Sequence, residues 1–110
     1  MEMAKYIMNI LKTNMPVIFS WGFKSPVALE NGLRFVVNGF KHKGKVAVLY
    51  DEGKDLFNIQ ILSFENEVIE TINDVYVDQL IEIIDNRVEL VEDYNETVKA
   101  EYSQLSTENL

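Results

Sequence analysis

Between Leu33 and Ile61 apolar side chains return at every second position, and that alternation restricts the possible folds of this 110-residue chain more than any other feature. Successive residues of a strand point to opposite faces of a sheet. Leu33, Phe35 and Val37 therefore share one face and Arg34, Val36 and Asn38 the other; Val46, Val48 and Tyr50, and then Phe57, Ile59 and Ile61, repeat the pattern. The joins are short and polar: Glu30-Asn31-Gly32, Lys41-His42-Lys43-Gly44, Asp51-Glu52-Gly53-Lys54-Asp55 and Glu65-Asn66-Glu67. Such joins make hairpins. Val68 to Ile72 reads as a last short strand, and Val17, Phe19, Trp21 and Phe23 as a first one that Ser25-Pro26 ends. Consecutive strands with short joins predict an antiparallel meander of four to five strands.

A different period holds at the two ends. Ala4, Ile7, Met8 and Leu11 form one stripe of a helix over residues 2–13, which Pro16 limits by restricting the residue before it. Asn73-Asp74 has the composition of a helix N-cap. Beyond it Val77, Ile81, Ile84, Val88, Val91, Asn95, Val98, Tyr102 and Leu105 alternate spacings of four and three, a heptad register with one polar member, and neither proline nor glycine follows Val75. The expected fold is thus α+β, with an N-terminal helix, the meander, and a long C-terminal helix packed first on the sheet. Residues 1–102 make one domain and 103–110 a disordered tail. Beyond Ile84 the helix has three courses: it continues, it breaks near Asp85-Asn86-Arg87 and folds back, or Val88, Val91, Asn95 and Val98 pair with a second copy to give a homodimer.

Charge is unevenly distributed. Residues 1–54 carry eight basic and four acidic side chains, and residues 55–110 carry two basic and fourteen acidic, for a net charge of −8. The basic excess gathers at Lys41, His42, Lys43 and Lys45, where a hairpin tip attracts a phosphate or a carboxylate-rich partner, or where lysines simply blunt a strand edge. Asp78, Glu82, Asp85, Glu89, Glu92, Asp93 and Glu96 recur every three or four residues on the C-terminal helix. Neighbours at that spacing lie about 5–6 Å apart. They either solvate an outer face or imitate the phosphates of a nucleic acid. The overall charge disfavours direct nucleic-acid binding, which requires phosphate neutralisation.

Reactive chemistry finds little support. Without cysteine there is no disulfide, thiolate zinc site or cysteine nucleophile. The single histidine, His42, would have to serve any minor hydrolase, and nothing in the sequence marks its partner. Asp51 to Asp55 lacks the alternating acids of a calcium loop, and the five isolated glycines form no phosphate-binding pattern. No metal or cofactor is expected. The N-terminal residues lack a secretory layout and no stretch reaches the ~20 apolar residues of a membrane span, so a cytoplasmic protein without membrane association is expected.

Three stretches carry a resemblance: Lys45 to Asp51 (KVAVLYD), Asp55 to Ile61 (DLFNIQI) and Val75 to Asp85 (VYVDQLIEIID). Over residues 41–89 the chain resembles small domains of phages and mobile elements, some of them embedded in large polyvalent proteins. The resemblance implies a unit of three strands and a helix in a mobile-element setting and brings no catalytic residues. The function expected is a non-enzymatic protein-interaction module with an unknown protein partner, acting through the acidic helix, the basic tip or both. An inhibitor that mimics nucleic acid is the alternative, and the hydrolase a further one.

Overall fold

The computed structural model describes residues 2–89 of the chain. Helix α1 spans Glu2–Leu11 and a 3₁₀ turn Lys12–Asn14; α2 covers Met15–Ser20, and five strands follow: β1 Lys24–Leu29, β2 Gly32–Asn38, β3 Lys43–Asp51, β4 Leu56–Leu62 and β5 Val68–Val75. A second 3₁₀ turn, Val77–Gln79, leads into α3, Leu80–Val88. The strands form one antiparallel sheet in the order β1-β2-β3-β4-β5. The α+β class, the antiparallel sheet and strands β2, β3 and β4 follow the alternation read from the sequence, whereas β1 does not.

One sheet face carries the helices. Leu33, Phe35 and Val37 of β2, Val46 and Val48 of β3, and Phe57, Ile59 and Ile61 of β4 join Ala4, Ile7 and Leu11 of α1, Ile18 of α2, Trp21, and Leu80, Ile84 and Val88 of α3 in one buried cluster. Each large aliphatic or aromatic side chain so buried contributes about 1.5–3 kcal/mol. Among the described residues no helix belongs to the cluster of the opposite face. That face carries the rows Arg34–Ala47–Gln60 and Val36–Lys45–Leu62. Ala47 and Leu62 are nonetheless buried there, flanked across the strands by Arg34 and Gln60 and by Lys45.

Three expectations about the ends of the meander need correction. Residues 15–20 form helix α2, not the start of a strand over Val17–Phe23. Pro16 lies in the first turn of α2, where its fixed φ favours a helix and its missing N–H costs nothing. Phe19 is accordingly 70% exposed whereas Trp21 is wholly buried. Ser25-Pro26 does not end a strand but lies within β1, at a register irregularity between Lys24 and Val27, with Ser25 at φ 54°. Asn73-Asp74 caps no helix: β5 runs past Ile72 to Val75, and Asp74, at φ 59°, sits in a second irregularity opposite Asn58. The Asp74 amide donates to Asn58 Oδ1 at 3.2 Å.

The C-terminal helical segment is short, twelve residues over Val77–Val88, rather than long. It starts where Gln79 Oε1 accepts from the Tyr76 amide and the Gln79 amide donates back to the Tyr76 carbonyl. Its buried stripe is Leu80, Ile84 and Val88; Val77, a member of the expected heptad, is exposed. The heptad members Val91, Asn95, Val98, Tyr102 and Leu105, and the expected tail 103–110, lie outside the described residues. The two sheet edges differ. The outer strand β1 is interrupted by Pro26, whereas β5 is eight residues long without proline.

Candidate functional site

The expected basic tip does not project from the molecule. The turn between β2 and β3 lies against the C-terminal end of α3, whose last carbonyls have no partner within the helix. Val88 O accepts from the amides of Lys41 (2.8 Å) and His42 (3.2 Å), Asn86 O accepts from Lys41 Nζ at 2.7 Å, and Glu89 Oε2 accepts from the Phe40 amide at 2.7 Å. A cation at this end also complements the helix dipole. Gly39 permits the approach: a Cβ there would lie 2.3 Å from Val88 O. The basic turn and the end of the acidic helix, read from the sequence as separate regions, are therefore joined by hydrogen bonds through backbone amides and carbonyls. Val88, expected on a self-association surface, is wholly buried in the core of its own chain.

His42 is likewise used within the fold. Its Nε2 faces Leu62 O at 2.9 Å and Lys45 O at 3.3 Å. Carbonyls only accept, so the proton resides on Nε2. Gly44 leaves space for the ring, since a Cβ there would come within 2.9 Å of Nε2. Lys43 is exposed, and Lys45 Nζ donates to Asn66 Oδ1 at 3.0 Å.

Of the acidic series, Asp85 accepts from the indole N–H of buried Trp21 at 2.9 Å and Glu89 holds the turn. Asp78 and Glu82 are exposed. Glu92 and Glu96, with Asp93, lie outside the described residues. Arg87 is paired with Glu70 of β5 through Nε at 3.0 Å.

A groove that the sequence does not reveal lies at the other end of the sheet, with a volume of about 520 Å³. Helix α1 supplies Met3 and Tyr6, the end of β3 supplies Tyr50, the following turn Lys54 and Asp55, β4 Leu56 and Phe57, and the entry to the C-terminal helical segment Tyr76 and Val77. Tyr6 lies on α1 among the solvent-facing residues, 49% exposed; Tyr76, 60% exposed, ends the strand-to-helix connection. Tyr50 packs against Phe57 with ring centroids 5.3 Å apart and donates its hydroxyl to Asp55 Oδ1 at 2.6 Å. That hydrogen bond to Asp55, with desolvation and the nearby carboxylates of Asp55 and Glu52, raises the Tyr50 pKa above its ordinary value near 10. Lys54 is bonded to Asp74 at 3.1 Å. Three phenol groups, a carboxylate and apolar walls thus converge from five parts of the chain. Among the described residues no group of three metal-ligating side chains occurs, and no helix is long and apolar enough to cross a membrane.

Comparison with protein-family models, with curated proteins and with solved structures found no match.

Proposed function

We propose that the protein is a non-enzymatic interaction module whose partner surface is the tyrosine-walled groove. The observation that carries this reading is the convergence of Tyr6, Tyr50 and Tyr76, from three separate elements, on one open groove. Tyrosine provides large contact area at small entropic cost together with a polar tip, which suits protein contacts. The groove is the reading's centre because the basic turn and two of the four described helix acids are engaged within the chain. Mimicry of nucleic acid loses support for the same reason, and a hydrolase built on His42 loses it because both close partners of Nε2 are backbone carbonyls. The turn keeps a lesser claim as a contact, since Phe40 is exposed beside Lys43. A phage or mobile-element origin, and a cytoplasmic setting, belong to this proposal and rest on the sequence alone.

The test is selection of ten-residue peptides from a random displayed library on the full chain. Enriched peptides are expected to bind the double variant Tyr6→Ala, Tyr76→Ala at least tenfold more weakly. Both side chains are largely exposed, so the variant retains the core. If no peptide is enriched, or if the enriched peptides bind the variant equally well, the groove is not a partner surface.

A further inference from the structure

Which chemistry fits this groove follows from what its walls offer. The Tyr50 hydroxyl is committed to Asp55, but among the described residues the side-chain hydroxyls of Tyr6 and Tyr76 donate to no protein group. They offer donors at the rim of an aromatic surface. A ligand matched to them presents accepting carbonyls and few competing donors of its own, which is the property of a proline-rich segment in the polyproline II conformation. Such segments dock in open, aromatic-lined grooves, and their stiffness lowers the entropy lost on binding. A small molecule fits less well, since its sites bury most of the ligand, whereas Tyr6 and Tyr76 leave this groove open to solvent.

The charge around the groove selects further. Lys54, the cation of its lining, is already bonded to Asp74. Asp55 uses Oδ1 for Tyr50 and is exposed, and among the described residues its second oxygen bonds to no protein group. Asp51 and Glu52 lie in the same turn or at its edge. A carboxylate beside tyrosine faces suits a guanidinium, which stacks on aromatic rings and pairs with carboxylates.

We propose that the groove formed by Tyr6, Tyr50, Tyr76 and Asp55 takes an extended, proline-rich segment of another protein that carries an arginine, the arginine pairing with Asp55. This rests on the reading of the groove as the partner surface and adds the chemistry of the partner.

The experiment is a titration of the full ¹⁵N-labelled chain, followed by amide chemical shifts, with an acetylated peptide of eight prolines flanked by arginines. Two further probes are the same peptide with glutamate for arginine and a glycine–serine peptide with the same two arginines. Shifts are expected at Tyr6, Asp55 and Tyr76. Affinity should fall at least tenfold for each comparison peptide and at least tenfold in Tyr76→Ala. Asp55→Asn should reduce the preference for arginine over glutamate to about threefold or less, as loss of a single exposed charge pair implies. Unmoved groove amides, or equal binding of the glycine–serine peptide, would overturn the proposal. If the displayed library instead yields groove-binding peptides without proline and arginine, the interaction surface stands and this assignment of its ligand falls. If the library yields none and the proline probe also leaves the groove unmoved, both fall.

Discussion

At the scale of single residues, the clearest coupling is between Tyr50 and Asp55. The neutral phenol donates to the carboxylate, so ionisation sets two negative charges side by side and the Tyr50 pKa is raised. A folded-state pKa above the unfolded one stabilises the fold fully below the unfolded value of about 10 and loses that contribution as the pH rises through the folded value. In a titration of tyrosinate absorbance read as the difference between the native chain and Tyr50→Phe, Tyr50 is expected to ionise above its ordinary value, and Asp55→Asn should return it toward that value. Thermal unfolding above pH about 10 should decline more steeply in the native chain than in that variant. Identical titrations of the two proteins would remove Asp55 as the cause. Nothing in the sequence announces this pair as part of a site. Tyr6, Tyr50 and Tyr76 lie far apart along the chain and follow no motif. Only the order of the strands and the path of α1 bring them to one end of the sheet. His42 was legible as the sole imidazole, but not its role, because a ring bonded to carbonyls of β3 and β4 leaves no local sequence mark.

Among the elements, β2, β3 and β4 were readable because each is buried on one face and the pleat imposes a strict period of two. The edges of the meander were less so. Met15–Ser20 is only six residues long, and Ile18 with Trp21 fits a helical spacing as well as Val17 with Phe19 fits a strand. Tertiary packing decides between them by burying Ile18 and Trp21. Asn73-Asp74 misled for a related reason: aspartate tolerates positive φ, and here it serves an irregular strand rather than a cap. The contact of the β2–β3 turn with α3 was also hidden, since its largest part is backbone. Gly39→Ala would drive a Cβ into Val88 O, a backbone atom that moves only with the whole helix end, and should cost about 2 kcal/mol or more. Lys41→Ala removes one exposed cation from the helix end and should cost about 0.3–1 kcal/mol. Urea unfolding measures both, and equal losses would mean that charge, not close approach, holds the turn.

For the molecule as a whole, the buried side chains of the helices and, apart from Ala47 and Leu62, of the sheet belong to one cluster among the described residues. Such a chain of about one-domain size unfolds in a single step. Trp21 fluorescence reports the junction of α2 with the sheet, and far-ultraviolet circular dichroism the backbone generally. The two urea transitions are expected to share one midpoint; separate midpoints would show that the helices leave the sheet before it unfolds. The same arrangement alters the meaning of the charge asymmetry along the chain. The count of positive and negative side chains was legible, but their mutual placement was not, because α3 returns to the β2–β3 turn and brings Glu89 to Phe40 and Lys41 to Asn86.

The unlike borders of the sheet bear on what a crowd of these molecules can build. Edge-on joining of two copies through β5, whose outer side pairs with no strand among the described residues, would turn both β5 borders inward. The ten-strand product would then present only β1 on each outer side, where Pro26 lacks the N–H that a newcomer would seek. A proline in each outer strand disfavours recruitment of a further copy there, so the sequence of the edge bears on how far such an assembly grows.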